Sequence, residues 1–323
     1  MAKYVVSGYI GFDNFGDEAI ASVLVSYLKK NGAEKVTLIS SNPEKTARNY
    51  EVNSVGMLDF FSPIKEADVL ISGGGSLLQD VTSLKSLIYY LGIIFYALAL
   101  GKKVVIFAQG FTPFRTRLGK FFTEFVLKRC SKISVRDIKS QEMLQEMGIK
   151  SELVTDPIFG IQVPETEKEN AIGIQLRSYS LLNEKFLDNL ADMVKEKFSD
   201  KEIRLFSLQD SLDLEVVKHF AQKLEQKGLK SKIYKNLSVN DVIFELSKLE
   251  TLIAMRFHAL LVGAKTGAKL LGINYDIKVE SLAKTVGFPI LEIDEQVLDK
   301  KFDELSVVNI SKYTIPEFRF PEL

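Results

Sequence analysis

The sequence predicts an α/β protein built from two Rossmann-like domains that face a cleft. Short runs rich in β-branched residues alternate with longer amphipathic segments, which is the pattern of parallel βα units. The alternation stops at the polar segment "IQVPETEKEN", residues 161–170, and then begins again. A chain of 323 residues is long enough for two domains of ordinary size. We therefore predict a first domain over residues 1–163 and a second over residues 164–323.

Six apolar runs predict the strands of the first domain, and four amphipathic segments predict its helices. The strands are "KYVVSGYI", "KVTLIS", "ADVLISGG", "KKVVIFAQG", "KISVRD" and "SELVTD". The helices are residues 17–30, 82–100, 117–129 and 137–148, the last of which ends at a glycine. This order predicts a parallel sheet with helices between its strands.

The second domain repeats this order of elements. Its strands are "AIGIQLR", "EIRLFSLQD", "SKIYKN", "TLIAMRF", "KLLGINY" and "FPILEID". Its helices are residues 183–198, 212–228 and 238–249. The aromatic tail "KYTIPEFRFPEL" is expected to pack back on the first domain. Ligands of open parallel sheets bind beyond the carboxyl ends of the strands, so the strand exits are where functional residues are expected.

The overall composition excludes several classes of function. Lysine plus arginine and aspartate plus glutamate both number 42, so the chain has no basic field to attract nucleic acid. Any anion site must therefore be built locally. The single cysteine, Cys130, excludes an internal disulfide and a cysteine-based metal site, and it indicates a reducing compartment. We expect no metal and no nicotinamide cofactor.

One apolar segment bears on whether the protein is located in the membrane or in the cytoplasm. Residues 86–101 carry no charge, but sixteen residues are fewer than the roughly 20 that a membrane-spanning helix needs. The segment is predicted to be a buried core helix, and the N-terminus does not resemble a signal peptide. We expect a cytoplasmic protein, with peripheral association at the inner membrane face through residues 86–101 as a second possibility.

The first strand exit, "SGYIGFDNFGDEAI", lies between a strand and a helix. Gly11 and Gly16 allow the backbone to approach a ligand, and the helix N-terminus favours an anion. Asp17 is predicted to cap the helix and Glu18 to lie in its first turn, beside Asn14. The alternative is a tight turn with capping acids and no ligand. The spacing is not that of a dinucleotide fingerprint.

The exit of the strand "ADVLISGG" leads into "ISGGGSLLQD", which carries consecutive glycines. Bare backbone or a positive φ angle is expected there. Polar groups follow at Ser76, Gln79 and Asp80, and they suit sugar hydroxyls or a phosphate. The next exit contributes Gln109. The exit after that carries Arg136, whose guanidinium either binds a carboxylate or phosphate or pairs with Asp137 or another acid.

The second domain carries more cations at its strand exits. Arg177, and then Gln209 with Asp210, follow its first two strands. The stretch "AMRFHALL" places Arg256 and His258 where either a strand ending or a helix start would present both to one ligand. Lys278 follows the strand "KLLGINY". The other histidine, His219, is predicted to be an ordinary surface residue. We expect Arg136, Arg177, Arg256, His258 and Lys278 to converge on a small, highly charged anion.

These stretches resemble the polysaccharide pyruvyl transferase family. The matching elements are "GYIGFDNFGDEAI", "ISGGGSLLQD", "AQGFTP", "SVRD" with "LVTDP", "RFHALLVGAKTG" and "GINYDIKV", in the family's order over about residues 7–280. The resemblance implies two Rossmann-like domains of GT-B-like architecture. It also implies transfer of the pyruvyl group of phosphoenolpyruvate to a sugar diol of a cell-surface polysaccharide precursor, as a cyclic ketal with release of phosphate.

The resemblance also implies roles for particular residues. Phosphoenolpyruvate binding falls on Arg136, Arg256, Phe257, His258 and Lys278. His258 is the expected general acid, and Asp17, Glu18 and Asp80 remain open as the general base. Acceptor or cleft roles fall on Gly11, Asn14, Gly16, Gly74, Gly75, Ser76, Gln79, Asp80, Gln109, Arg177, Gln209 and Asp210.

Two departures from the family pattern and two rival functions stay open. The first motif reads Ile10-Gly11-Phe12-Asp13 instead of a Tyr-Gly-Phe-Gly core, and Ser178-Tyr179 lack the usual proline or tryptophan. Both put the acceptor in doubt, which in the family is a hexose or N-acetylhexosamine, often lipid-linked. The rivals are a GT-B-like nucleotide-sugar glycosyltransferase and a non-catalytic polysaccharide-assembly protein of the same fold.

Overall fold

The computed structural model describes residues 1–81, 83–293 and 302–305. The chain divides into two compact units, one over Met1–Ile161 and one that begins at Gln162. The division falls within the polar segment that interrupts the strand–helix alternation. The aromatic tail, for which packing on the first domain was predicted, lies outside the described residues.

The first unit contains a seven-stranded sheet in which every strand pair is parallel. Its strands are β1 (Lys3–Ser7), β2 (Lys35–Ser40), β3 (Asn53–Gly56), β4 (Val69–Ser72), β5 (Lys103–Gln109), β6 (Lys132–Val135) and β7 (Glu152–Leu153). Their order is β3-β2-β1-β4-β5-β6-β7. This is the doubly wound order, with its switch point between β1 and β4. The six predicted strands are confirmed, and β3 was missed.

Helices cover both faces of this sheet. They are α1 (Phe15–Lys30), α2 (Pro43–Tyr50), α3 (Phe61–Glu66), α4 (Leu84–Ala99), α5 (Arg117–Leu127), α6 (Ile138–Glu146) and a 3₁₀ helix (Pro157–Gly160). The prediction that Asp17 caps α1 is wrong. The helix begins two residues earlier, and the side chain of Asn14 caps it by accepting a hydrogen bond from the Gly16 N–H at 3.2 Å.

The second unit contains a six-stranded parallel sheet of the same type. Its strands are β8 (Glu169–Gln175), β9 (Glu202–Phe206), β10 (Ser231–Tyr234), β11 (Leu249–Ala254), β12 (Lys269–Asn274) and β13 (Ile290–Glu292). Their order is β10-β9-β8-β11-β12-β13, so the switch point lies between β8 and β11. All six predicted strands are confirmed.

Five helices accompany the second sheet. They are α7 (Glu184–Phe198), α8 (Asp210–Gln226), α9 (Val239–Ser247), α10 (Phe257–Lys265) and α11 (Ile277–Val286). Of the two conformations left open for "AMRFHALL", the structure has the helix start. Arg256 is the last residue before α10, and His258 is the second residue within it.

Each unit has its own apolar core. In the first unit the two faces of the sheet pack into two separate clusters, one against α4, α5 and α6 and one against α1. The second unit packs α7 and α8 against its sheet. Residues 86–101 form most of α4, and the prediction of a buried core helix holds only for its inner side, because Ile88 and Phe95 on the outer side are exposed. No helix in the described ranges is both long and apolar enough to cross a membrane.

The turn after β1 requires a glycine at position 11. Gly11 has a φ angle of +84°, and a Cβ atom there would lie 2.2 Å from Ser40 Oγ and 2.6 Å from the backbone nitrogen of Asn42. Gly32 also has a positive φ angle, +75°, but an added Cβ would meet nothing within 4 Å. The two glycines thus share the backbone conformation and differ in the space around it.

This difference gives a stability prediction. We expect Gly11→Ala to lower the free energy of unfolding by more than about 3 kcal/mol, because backbone strain and overpacking both apply. Gly32→Ala should cost only about 1 kcal/mol, the penalty of the left-handed conformation alone. Urea denaturation measures both variants. Equal losses would show that the turn has room for a methyl group.

Candidate functional site

The candidate residues form two groups, one at the carboxyl edge of each sheet. In the first unit they follow β1, β4, β5 and β6, and in the second they follow β8, β9, β11 and β12. Because all strands of a sheet are parallel, the exits within one unit lie along one edge. That all five cations converge on one cleft stays a prediction, since Arg136 belongs to the first unit and the other four residues to the second.

Glu18 holds the loop that follows β1. Its Oε1 accepts a hydrogen bond from the Gly11 N–H at 2.7 Å, and its Oε2 accepts one from the Tyr50 hydroxyl at 2.5 Å. Burial raises the pKa of Glu18 above its ordinary value, although these two hydrogen bonds oppose the shift. Both carboxylate oxygens are thus engaged within the protein. Glu18 therefore fixes the loop, and the proton-accepting role suggested for it stays a prediction.

The glycine segment after β4 runs along this loop. The Gly73 N–H donates to Ser7 O at 2.7 Å, which joins the segment to the end of β1. Gly75 has a φ angle of +104°, and a Cβ atom there would lie 2.8 Å from Asp17 Oδ1. A Cβ atom on Gly74 would lie 2.8 Å from Ile20 Cγ2. Asp17, in the first turn of α1, therefore contacts bare backbone at the switch point of the first sheet.

Gln109 supports the glycine segment from beneath and is fully buried. Its Oε1 accepts a hydrogen bond from the Leu77 N–H at 3.2 Å, and its Nε2 donates to Gly73 O. With both ends of its amide bonded to the backbone, Gln109 shapes the glycine segment, and the acceptor or cleft role suggested for it stays a prediction. Gln79 is half-buried, and its Oε1 accepts a hydrogen bond from the Val81 N–H at 2.7 Å.

Asp80 also anchors a loop. Its carboxylate accepts hydrogen bonds from the N–H of Arg115 at 2.7 Å, the N–H of Thr116 at 2.8 Å and the Thr116 hydroxyl at 2.7 Å. Burial alone would raise the pKa of Asp80, but these hydrogen bonds outweigh it and hold the pKa below its ordinary value. A carboxylate so stabilised is a weak base. Asp80 therefore fixes the start of α5, and the catalytic or acceptor role suggested for it stays a prediction.

The opposite pKa shifts of Glu18 and Asp80 predict opposite pH dependence of stability. A raised pKa means that folded Glu18 keeps its proton more tightly, so its contribution is largest at low pH and is lost as pH rises through the raised value. The lowered pKa of Asp80 gives a contribution that is lost as pH falls. As pH rises above about pH 4, the unfolding free energy of wild type relative to Glu18→Gln should fall. As pH drops below about pH 4, the unfolding free energy of wild type relative to Asp80→Asn should fall. Parallel profiles for the two variants would contradict both assignments.

Arg136 forms a buried ion pair in the first unit. Its Nη1 lies 2.7 Å from Asp156 Oδ2, and its Nη2 donates to Ser76 Oγ at 3.4 Å. Gly110 leaves room for it, because a Cβ atom there would lie 3.2 Å from Arg136 Nε. The alternative of a salt bridge is therefore correct, with Asp156 as the partner. Asp137 instead caps α6 by accepting a hydrogen bond from the Ser140 N–H at 2.8 Å.

Arg256 forms a second buried ion pair, in the second unit. Its Nε and Nη2 donate to the two carboxylate oxygens of Asp213 at 2.8 and 2.7 Å, and Asp213 is 0% exposed. Arg256 Nη2 also donates to Gln209 Oε1 at 3.1 Å, and its N–H donates to Gln175 Oε1 at 2.8 Å. One edge of the guanidinium thus binds a protein carboxylate. Arg256 and Gln209 are thus held within the second unit, and their donor and acceptor roles stay predictions.

Arg177 follows β8, and β8 is the neighbour of β11 in the sheet. Its guanidinium lies over the ring of Tyr275 at 5.4 Å, and its Nη1 lies 3.4 Å from the Tyr275 hydroxyl. The Arg177 N–H lies 3.2 Å from the sulfur of Met255. Tyr275 follows β12 on the other side of β11. The side chains from these three neighbouring exits therefore meet beside the start of α10.

The remaining predicted residues of the second unit lie at the same edge. Phe257 and His258 open α10, with ring centroids 5.1 Å apart and both side chains half-buried. Lys278 is exposed in the first turn of α11, which follows β12. Asp210 accepts a hydrogen bond from the Ser207 hydroxyl at 2.5 Å at the start of α8. His219 is exposed and pairs with Glu184 at 2.9 Å, which confirms it as a surface residue.

Four residues that organise the edges were not singled out as site residues from the sequence. They are Tyr50, Asp156, Gln175 and Asp213. Asp213 lies within a segment that was predicted to be a helix, and Asp156 was predicted only to form a turn of the chain. Among the residues that the structure describes, no group of three or more His, Cys, Asp or Glu side chains is arranged to hold a metal ion.

Solved structures of similar fold cover nearly the whole chain. A UDP-GlcNAc 2-epimerase from Methanocaldococcus jannaschii matches with a TM-score of 0.63 at 11% identity, over 94% of this chain and 92% of the other. The Neisseria meningitidis UDP-GlcNAc 2-epimerase bound to UDP-GlcNAc gives 0.62 at 10% identity, over 93% and 90%. Glycyrrhiza uralensis UGT73P12, complexed with glycyrrhetinic acid 3-O-monoglucuronide, gives 0.55 at 8%, over 92% and 82%. These likenesses confirm a GT-B-like fold of two Rossmann-like domains.

The sequence itself identifies the family. No curated protein matches the chain. The family model described as polysaccharide pyruvyl transferase matches residues 14–277, which include α1, the glycine segment after β4, Arg136 and the α10 segment. The match covers most of the 323 residues and agrees with the motifs on which the resemblance was based. The chain belongs to the polysaccharide pyruvyl transferase family.

Proposed function

We propose that this protein transfers the pyruvyl group of phosphoenolpyruvate to a sugar diol of a cell-surface polysaccharide precursor, forming a cyclic ketal and releasing phosphate. The observation that carries the proposal is the group at the carboxyl edge of the second sheet, where Arg177, Arg256, His258 and Lys278 follow three neighbouring strands. Membership of the family supports the pyruvyl transfer.

The donor site belongs to the second unit in this proposal. Phosphoenolpyruvate carries a carboxylate and a phosphate, so it requires several cations in a protein whose formal net charge is zero. Arg177 and Lys278 are the side chains we assign to direct contact with these groups. Arg256 is held by Asp213 and presents the N-terminus of α10, whose backbone N–H groups favour an anion.

The acceptor and the general base belong to the first unit in this proposal. Asp17 is half-buried beside the bare backbone of Gly75, and we assign the approach of the sugar hydroxyl to this carboxylate. Of the three candidate bases, Asp17 is the one that lies beside the backbone of Gly75 at the switch point of the first sheet, so we assign the role to it. Ser76 and Gln79 supply neutral hydrogen-bonding groups for the sugar.

The chemistry needs one acid and one base. His258 donates a proton to the methylene carbon of phosphoenolpyruvate, and the first sugar hydroxyl attacks the adjacent carbon while a general base accepts the hydroxyl proton. The bond from that carbon to the phosphate oxygen then breaks, and phosphate leaves. The second hydroxyl attacks the same carbon and gives its proton to the released phosphate, which closes the ketal. The adjacent carbon gains what the methylene carbon loses in oxidation number, so the reaction is redox-neutral overall and no redox cofactor enters the proposal.

Calorimetric titration tests the donor. Phosphoenolpyruvate should bind the purified protein, and UDP, UDP-glucose and UDP-GlcNAc should bind at least about tenfold more weakly. Arg177→Ala should weaken the binding of phosphoenolpyruvate, whereas Lys150→Ala, which removes an exposed lysine of the first unit, should leave it unchanged. Preferred binding of the UDP compounds would promote the glycosyltransferase alternative. Binding of neither class would favour the non-catalytic assembly protein.

A further inference from the structure

Helix α5 presents an apolar stripe to solvent instead of to the core. Leu118, Phe121, Phe122 and Phe125 follow the i, i+3, i+4, i+7 spacing that normally marks a buried helix face. They are nevertheless 68%, 60%, 53% and 39% exposed. The core side of the same helix is formed by smaller residues, among them Gly119 and Val126. Burial in the core therefore does not explain the three phenylalanines.

The outer face of α4 is apolar as well. Leu84, Ile88, Gly92, Phe95 and Ala99 are all exposed and lie four, four, three and four residues apart, which keeps them on one side of the helix. Ile88 is 61% and Phe95 51% exposed. Charged and polar residues normally occupy the outer face of a helix that packs on a sheet. None of these five positions on α4 carries a charged or polar side chain.

The two helices lie side by side on the same face of the first sheet. Helix α4 connects β4 to β5, and α5 connects β5 to β6, so both crossovers run in the same direction along the strand order. Right-handed crossovers place such helices on one face. Helices α4 and α5 also contact each other, and their buried residues Leu87, Ile94 and Val126 belong to one core cluster. Their exposed apolar faces thus form one surface, the α4–α5 surface.

The charge around the α4–α5 surface is mostly positive, and the one acid of α5, Glu124, is paired with Lys128. Residues 81–123 contain no aspartate or glutamate and six lysines or arginines, in a chain with zero formal net charge. The exposed cations next to the apolar stripe are Lys85, Arg115, Arg117 and Lys120. The guanidinium of Arg129 lies 3.7 Å from the centroid of the Phe125 ring. The basic residues therefore surround the aromatic ones.

We propose that the α4–α5 surface docks the protein on a lipid bilayer that contains anionic headgroups. Exposed phenylalanine and leucine side chains insert at the boundary of headgroups and acyl chains, and neighbouring lysines and arginines pair with lipid phosphates. The positive sign of the segment favours an anionic membrane over an uncharged apolar partner. This inference uses no residue of the proposed catalytic machinery, and its test needs no substrate.

Vesicle co-sedimentation tests the proposal. The purified protein should bind vesicles of phosphatidylcholine with phosphatidylglycerol, and should bind pure phosphatidylcholine vesicles at least about tenfold more weakly. Phe121→Ser with Phe122→Ser should reduce binding to the anionic vesicles by about tenfold or more. Arg117→Gln with Lys120→Gln should do the same, and salt near 0.5 M should weaken wild-type binding. Because all four side chains are exposed, the variants should unfold at the wild-type temperature.

Phe244→Ser is the matched control. Phe244 is 44% exposed on α9 of the second unit and has the Lys248 ammonium 4.1 Å from its ring centroid, so it resembles the Phe125–Arg129 arrangement away from the surface. This variant should bind vesicles as wild type does. Equal binding to both vesicle types, or full binding by the two α5 variants, would overturn the proposal. So would a wild-type dimer in lipid-free solution that the phenylalanine variant dissociates, because the surface would then join two copies of the chain.

Discussion

His258→Ala is expected to reduce turnover with phosphoenolpyruvate by about a hundredfold or more, the usual contribution of a positioned general acid. Its side chain is half-buried at the second position of α10, where it is not part of the hydrophobic cluster of the second unit. The free energy of unfolding should therefore change by less than about 1 kcal/mol. Since His258 acts on the methylene carbon, kcat should fall much more than the affinity for phosphoenolpyruvate.

His219→Ala is the control for this experiment. His219 is the other histidine of the chain, and it lies exposed on α8 beside Glu184. Its removal should leave both turnover and stability at wild-type values, within about 0.5 kcal/mol for the latter. If His258→Ala kept near-normal turnover, the proton would have to come from another group, and the proposed mechanism would be wrong at its first step.

The sheets could be predicted almost completely, because a buried parallel strand is a short run of β-branched residues between turn signals. The missed strand, β3, reads "NSVG" and lies at the sheet edge, where little burial is required. The missed helix α2 reads "PEKTARNY" and has only two buried residues, so it leaves no apolar periodicity to detect. The division between the two compact units falls within the polar interruption at residues 161–170.

The positions of the site residues were predictable, but their partners were not. Strand order places the exits of a parallel sheet on one edge, so arginines and a histidine at such exits could be recognised in sequence. The ion pairs join residues that are far apart in the sequence. Arg136 and Asp156 are 20 positions apart, and Arg256 and Asp213 are 43 positions apart. Nothing in "LDLEVV" distinguishes Asp213 from an ordinary acid in a helix start. That distinction comes from packing, which the local sequence does not record.

The exposed stripe on α5 shows what hydrophobic spacing alone does not reveal. The spacing of Leu118, Phe121, Phe122 and Phe125 predicts a helix correctly, but it also predicts that the stripe faces the core. The stripe is exposed because Val126 and Leu127, on another side of α5, already fill the core. Hydrophobic periodicity shows that a helix has an apolar face and does not show what covers that face.

The ion pair between Arg256 and Asp213 gives the largest expected change in stability. Arg256→Ala leaves a carboxylate that is 0% exposed without its cation, which should lower the free energy of unfolding by about 3–5 kcal/mol. Asp213→Ala should cost about as much for the converse reason. The double variant Arg256→Met with Asp213→Leu should lose less than the sum of the single losses, because neither charge is then left buried alone.

Arg256→Lys separates the positioning role from the charge. It keeps the cation near Asp213 but cannot make the two parallel hydrogen bonds of the guanidinium edge, so we expect a smaller stability loss and weaker binding of phosphoenolpyruvate. Lys218→Ala is the control, because it removes an exposed ion pair with Glu215 and should change stability by less than about 0.5 kcal/mol. Chemical denaturation and calorimetry measure the two effects separately. If Arg256→Ala lost donor binding with less than about 1 kcal/mol of stability, Arg256 would be a direct ligand of the substrate and the pair with Asp213 only a resting contact.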